Sequence, residues 1–163
     1  MKTLSLRLLL PALLHAAPTS PAATTNGSPD RDQILAVVQQ FFDAMAAKNG
    51  EALRALFVPG AQVASLRMTA GGPVLRQRTA EEDAQRIPAN PDRLLERMWT
   101  PTVLVDGRIA VVWTPYDFHI NGRFSHSGTD AFTLFKTDAG WKIAMVGYSV
   151  EPDAPSRHPQ GPP

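Results

Sequence analysis

Apolar residues in SPDRDQILAVVQQFFDAMAAKNG recur at helical spacing, so that Ile34, Val37, Val38, Phe41, Phe42 and Met45 form one broad stripe. Ser28 is placed to cap this helix, Pro29 suits its first position, and Asp30 and Asp32 favour the positive end of the dipole. Asn49-Gly50 is expected to end it. A shorter helix, EALRALF, runs to a stop at Pro59, and TAEE opens a third with a capping box of Thr79 and Glu82, expected to finish before Pro88. The remaining pattern is that of strands. AQVASLRM alternates, and GGPVLRQR follows a glycine pair suited to a turn. ERMWTPTVLV and RIAVVWTPYDFHI flank Asp106-Gly107, Asn121-Gly122 leads into RFSHSGTDAFTLFK, and TDAG leads into WKIAMVGYSV. Helices followed by an antiparallel meander predict an α+β fold. Strands this long twist and curl, and a stripe as broad as Ile34 to Met45 is what the concave face of such a sheet needs to cover it.

The hairpin YDFHINGRFSH concentrates the candidate chemistry. A two-residue turn at Asn121-Gly122 pairs Ile120 with Arg123, His119 with Phe124 and Asp117 with His126. Further out the same count pairs Pro115 with Gly128 and Trp113 with Asp130, unless a bulge at Pro115 shifts the pairing beyond it. A carboxylate opposite an imidazole fixes its tautomer and raises its basicity, which makes His126 a candidate general base oriented by Asp117, with His119 as a second proton carrier. Asp130, if buried beside Trp113 and Phe132, is an alternative base with its pKa raised by desolvation. Against both stands the ordinary fate of a hairpin tip, an exposed ion pair. Two histidines and a carboxylate also match a facial metal triad, but no fourth ligand follows in sequence, and no metal is expected.

Other residues bear on a pocket. Trp99, Trp113 and Trp141 with Tyr116 and Phe118 suit either an apolar cavity or core and interface packing. Arg67, Arg76 and Arg78 fall on the early strands, either to meet an anionic ligand or as solvated charges. No phosphate-binding glycine loop or nucleophile elbow is present.

Composition narrows the field. The 163 residues fit one domain, and 16 basic against 15 acidic residues, dispersed along the chain, give a net charge of +1. That balance argues against nucleic acid as a partner. Without cysteine there are no disulfides, thiolate metal sites or thiol nucleophiles. Lys2 and Arg7, the apolar run Leu8 to Leu14 and the small residues Ala16 to Ala23 have the form of a secretory signal over residues 1–23, too short to remain as a membrane span. They imply a periplasmic or secreted protein; a disordered leader on a cytosolic protein is the alternative. The proline-rich EPDAPSRHPQGPP is expected to be disordered from residue 152 to 163, leaving a folded domain over 28–151.

Two stretches, FFDAMAAKNGEALRALFVPGAQV and DAFTLFKTDAGWKIAMVGYSV, resemble the nuclear transport factor 2-like superfamily, the cone-shaped fold that includes ketosteroid isomerase and scytalone dehydratase. Asn49-Gly50-Glu51 stands where Gly-Asp is common in that family. Within it, the chain is similar to the small exported branch described as lumazine-binding or DUF4440-like. The resemblance implies a pocket between the sheet and the first helix, and homodimers through the outer sheet face. Phe41, Met45, Trp113, Tyr116, His119 and Phe132 are then candidate ligand contacts, with His126, Asp117 and Asp130 as candidate catalytic groups. The resulting expectation is a domain that binds a small, largely apolar ligand without a cofactor. The alternatives are a cofactor-free acid–base enzyme of isomerase or dehydratase type, and an interaction module whose cone is filled by its own side chains.

Overall fold

The structure, a computed structural model, describes residues 29–152 and 154–163. The expected secretory leader and the Ser28 cap lie outside the described residues. The chain forms α1 (Pro29–Ala46), α2 (Gly50–Leu56), β1 (Phe57–Thr69), β2 (Gly72–Thr79), α3 (Ala80–Ala89), β3 (Leu94–Met98), β4 (Thr102–Asp106), β5 (Ile109–Ile120), β6 (Arg123–Thr137) and β7 (Gly140–Val150). The seven strands make one sheet in the order β2-β1-β7-β6-β5-β3, with β4 also on β5. Among the described strands β1 and β7 pair parallel, and the other pairs are antiparallel. This curved α+β sheet wraps α1, as the apolar pattern implies.

The stripe on α1 becomes the core. Ile34, Val38, Phe41, Phe42 and Met45 are buried against Phe132, Leu134, Ile143 and Val146, and Phe132 stands edge-on to Phe41 at 5.6 Å and to Phe42 at 5.9 Å. Each such side chain contributes roughly 1.5–3 kcal/mol by leaving water. The start of α1 is tied to the last hairpin, since Asp30 Oδ1 accepts from Lys136 Nζ at 2.6 Å and from Trp141 Nε1 at 3.2 Å.

The helix ends differ in detail from expectation. Lys48, not Gly50, takes the left-handed conformation that ends α1 (φ 54°), and Asn49 caps α2 by accepting from Ala52 N at 3.0 Å. Gly50 is required for another reason: a Cβ there would lie 2.2 Å from Ala84 O, so α2 and α3 could not approach as they do. The Thr79–Glu82 capping box forms as read, but α3 continues through Pro88. The turn between β4 and β5 is Gly107-Arg108 rather than Asp106-Gly107, because Asp106 pairs with Ile109.

Pro115 causes no bulge. Its carbonyl accepts from Trp99 N at 3.3 Å, so its missing N–H faces the break between β3 and β4, where no strand requires a donor. The bulge falls instead at Ser125. His119 pairs with Phe124, as read, but Phe118 pairs with His126 and Asp117 with Ser127. One extra residue on β6 thus reverses the inward and outward assignment of every position beyond it.

The tail also departs from its composition. Ser127 Oγ donates to Ala154 O at 3.1 Å, Ser156 Oγ to Asp117 Oδ2 at 2.5 Å, and Arg97 Nη2 to Gly161 O at 2.9 Å. His158 stands edge-on to Trp99 at 5.4 Å. The segment expected to be disordered lies across the outer face of the sheet.

Candidate functional site

Between α1, α3 and the concave face of the sheet is a cavity of about 270 Å³. Phe41 and Met45 of α1, Val63 of β1 and Val146 of β7 form its apolar wall, and Tyr116, Phe118, His126 and Tyr148 add rings. Alternation places Leu94 and Glu96 of β3 inward, opposite Ile120 and Phe118. Asp130 of β6 faces inward between Thr114 and Tyr148.

Glu96 and Asp130 meet inside this cavity. Burial pushes Asp130 up to about 8, moderated by the hydrogen bond with Glu96. Burial, then the charge of Asp130 and their hydrogen bond, hold Glu96 well above the carboxylate range. Two carboxyl groups in contact in an apolar setting ionise with difficulty, so both keep their protons until Asp130 ionises at about 8. Asp130 is 2% exposed, and apart from Glu96 its carboxyl has no hydrogen-bond partner among the described residues. Tyr116 lies beside both groups. Burial and the two carboxyls raise its pKa, and its hydroxyl donates to Ser149 O at 2.7 Å, which removes it as a proton source.

The rim of the cavity is cationic. Arg78 pairs through Nε with the buried Asp83, to which Arg86 Nη2 also donates at 2.9 Å. Arg78 Nη2 donates to Tyr148 Oη at 3.0 Å. Arg67 lines the same space. Among the described residues no group of histidines and carboxylates could hold a metal ion, and no helix is long and apolar enough to cross a membrane.

The sequence matches the family described as "Putative lumazine-binding" over residues 29–149. The chain belongs to this family. Within the nuclear transport factor 2-like superfamily, solved structures of similar fold include a cystatin-like protein of unknown function from Nostoc punctiforme, with 13% identity, TM-score 0.63, and coverage of 79% of this chain and 96% of that one. An NTF2-like protein from Novosphingobium aromaticivorans has 18% identity and TM-score 0.61, covering 77% of this chain and 84% of that one. A protein from Streptomyces avermitilis titled a "putative dehydratase" has 19% identity and TM-score 0.59, covering 76% and 98% respectively. No curated protein matches the chain.

In this lumazine-binding-family chain the candidates read from sequence divide between two faces. His126, Asp130, Tyr116, Phe41 and Met45 line the cavity. Phe132 is fully buried beneath them as core. Asp117, His119 and Trp113 lie on the outer face, so they neither orient His126 nor touch a cavity ligand. Trp113 is 56% exposed. Asp117 is fully buried, and although burial opposes its charge, hydrogen bonds from Arg97 and Ser156, with His119 close by, hold it at about 2. Arg97 meets it with two bonds, Nε to Oδ1 at 2.9 Å and Nη2 to Oδ2 at 2.6 Å. His119 Nε2 is 3.2 Å from Asp117 Oδ2, within ion-pair range but off hydrogen-bond geometry. His126 makes a poor base: burial, then the charge of Arg67, lowers it to about 4, and its Nδ1 meets Ser125 Oγ at 3.1 Å.

Glu96 was not singled out from the sequence. A signal existed in LLERM, where alternation puts Glu96 on the same face as Leu94 and Met98, an acid in an apolar row. Arg67 and Arg78 had been set against solvated charges. Both line the cavity, Arg67 exposed at its mouth and Arg78 half-buried, while the exposed Arg76 does not.

Proposed function

We propose that the cone binds a small organic molecule with a flat, largely apolar body, and that the Glu96–Asp130 pair meets it as proton donor and acceptor. The observation that carries this reading is the Asp130 carboxyl, 2% exposed and facing an aromatic-walled cavity with no partner but Glu96 among the described residues. Burying a carboxyl group that has so few partners is costly, and a ligand that bonds to it offsets that cost. Aromatic walls around one polar floor are the usual make-up of a small-molecule site. The name of the family points the same way. Native mass spectrometry of the protein from its own source should find a retained small molecule, and Asp130→Asn should weaken its retention. A chain that carries nothing and binds nothing in a screen of planar heterocycles and acids contradicts the reading.

A second reading, cofactor-free acid–base turnover of the isomerase or dehydratase type, is favoured by Asp130 alone. A carboxyl that ionises near pH 8 changes charge where a general base must. Asp130→Asn would then abolish turnover while sparing binding.

Location and assembly belong to the same proposal. The leader supports export. An outer sheet face exposing Leu104, Ile109, Trp113, Phe135 and Met145 supports a homodimer through that face. Sedimentation of the protein lacking residues 1–23 tests the second point, and a monomer contradicts it.

A further inference from the structure

We infer that the ligand of the cavity is a small aromatic monocarboxylate, with Arg67 as the group that receives its carboxylate. This inference rests on the cavity-binding reading above and adds the chemical class of the ligand.

The first argument is the charge inventory. Around the cavity stand three guanidinium groups, Arg67 from β1, Arg78 from β2 and Arg86 from α3, against one carboxylate on the same rim, Asp83 from α3. Asp83 already serves both Arg78 and Arg86. Arg67 makes no hydrogen bond or ion pair among the described residues, yet it is close enough for its charge to add to the lowering of His126 of β6 and to offset part of the rise at Tyr116 of β5. Arg67 is solvent-exposed at the mouth of the cavity, and its charge still reaches the buried His126 behind it. An anion entering the cavity meets this guanidinium without having to break an existing pair.

The floor completes the picture. The remaining titratable groups facing inward are Glu96 of β3, Asp130 of β6 and Tyr148 of β7; α1 contributes only Phe41 and Met45. While both carboxyls are protonated, the floor adds no negative charge, and the cavity is cationic overall. That state persists until Asp130 ionises at about 8. A neutral carboxyl also donates a hydrogen bond, which an anionic or carbonyl oxygen accepts.

Shape and size select the rest. A cavity of about 270 Å³ admits a single small ring system, and its walls, Phe41, Phe118, Tyr116 and His126, are apolar or aromatic. The planar fork of one free arginine matches one carboxylate in two-pronged fashion; a phosphate dianion would call for more donors than Arg67 offers.

Ligand-observed NMR titration with benzoate, benzamide and benzylamine at pH 6.5 tests this. Benzoate is expected to bind about tenfold or more tightly than benzamide, the value of a charge-assisted hydrogen bond. Arg67→Gln should remove that preference and leave weak binding of benzamide, and Arg76→Gln on the neighbouring strand should preserve it. Benzamide binding as tightly as benzoate, or benzylamine binding best, overturns the anionic ligand while the cavity reading stands. A benzoate preference that survives in Arg67→Gln overturns the role of Arg67. Binding of none of the three at millimolar concentration overturns both the inference and the cavity reading on which it rests.

Discussion

Asp130 of β6 and Glu96 of β3 hydrogen-bond across the intervening β5, each flanking Tyr116, and both hold their protons far above the carboxylate range. A folded state that binds extra protons loses stability as pH rises. Asp130 contributes this loss from its ordinary 3.8 up to about 8, and Glu96 from 4.5 upward. His126 opposes them between about 4 and 6.5, because there the unfolded chain binds the proton that the folded chain does not. The net prediction is a melting temperature that declines from about pH 5 and falls most steeply between 6.5 and 8. Asp130→Asn should flatten that decline and stabilise the protein at pH 8 by on the order of a few kcal/mol. Calorimetry across this range checks both.

His126 is predicted to stay neutral from pH 6 upward. Its ring proton shifts should be flat there and move only as pH falls toward about 4. A midpoint near 6.5 would mean that the imidazole is solvated and outside the cavity wall.

Asp117 should matter for folding and not for ligand binding. Replacing it with Ala leaves Arg97 sheltered beneath the tail without its partner, a change that costs about 3–5 kcal/mol for a buried pair. Its folded pKa of about 2 lies below the ordinary 3.8, so its contribution is present above 3.8 and is lost as pH falls through about 2. Denaturant unfolding of Asp117→Ala, with benzoate titration in parallel, should show lower stability and unchanged affinity.

Gly128 is a second structural dependency. A Cβ there would lie 2.1 Å from Ser149 O and 2.8 Å from Tyr116 Cε1, which blocks the approach of Glu151 to Ser127 and the seat of the Tyr116 ring. Gly128→Ala is expected to lose about 1–3 kcal/mol or more on denaturant unfolding, against a negligible effect at an open glycine.

What the sequence reveals follows from how local each feature is. The α1 stripe, the Thr79–Glu82 box and the Asn121-Gly122 turn are contained in short windows, and each forms as read. The register beyond that turn depends on Ser125, an ordinary strand residue with no signal that it would bulge, and this one position moved Asp117 away from His126. Pro115 gave a bulge warning and is harmless, because the break between β3 and β4 falls beside it. Half of the carboxyl pair was legible: Asp130 was a candidate through its place in an apolar strand. Its partnership with Glu96 joins strands that are not neighbours, and only the curvature of the sheet brings them together.

The central claim is that a carboxyl pair enclosed in the cone holds its protons above the carboxylate range, and carbon-13 NMR of the side-chain carboxyls tests it most directly. The account predicts a carboxyl resonance that titrates with a midpoint at about 8 and disappears in Asp130→Asn. An Asp130 carboxyl that titrates near its ordinary 3.8 would contradict it.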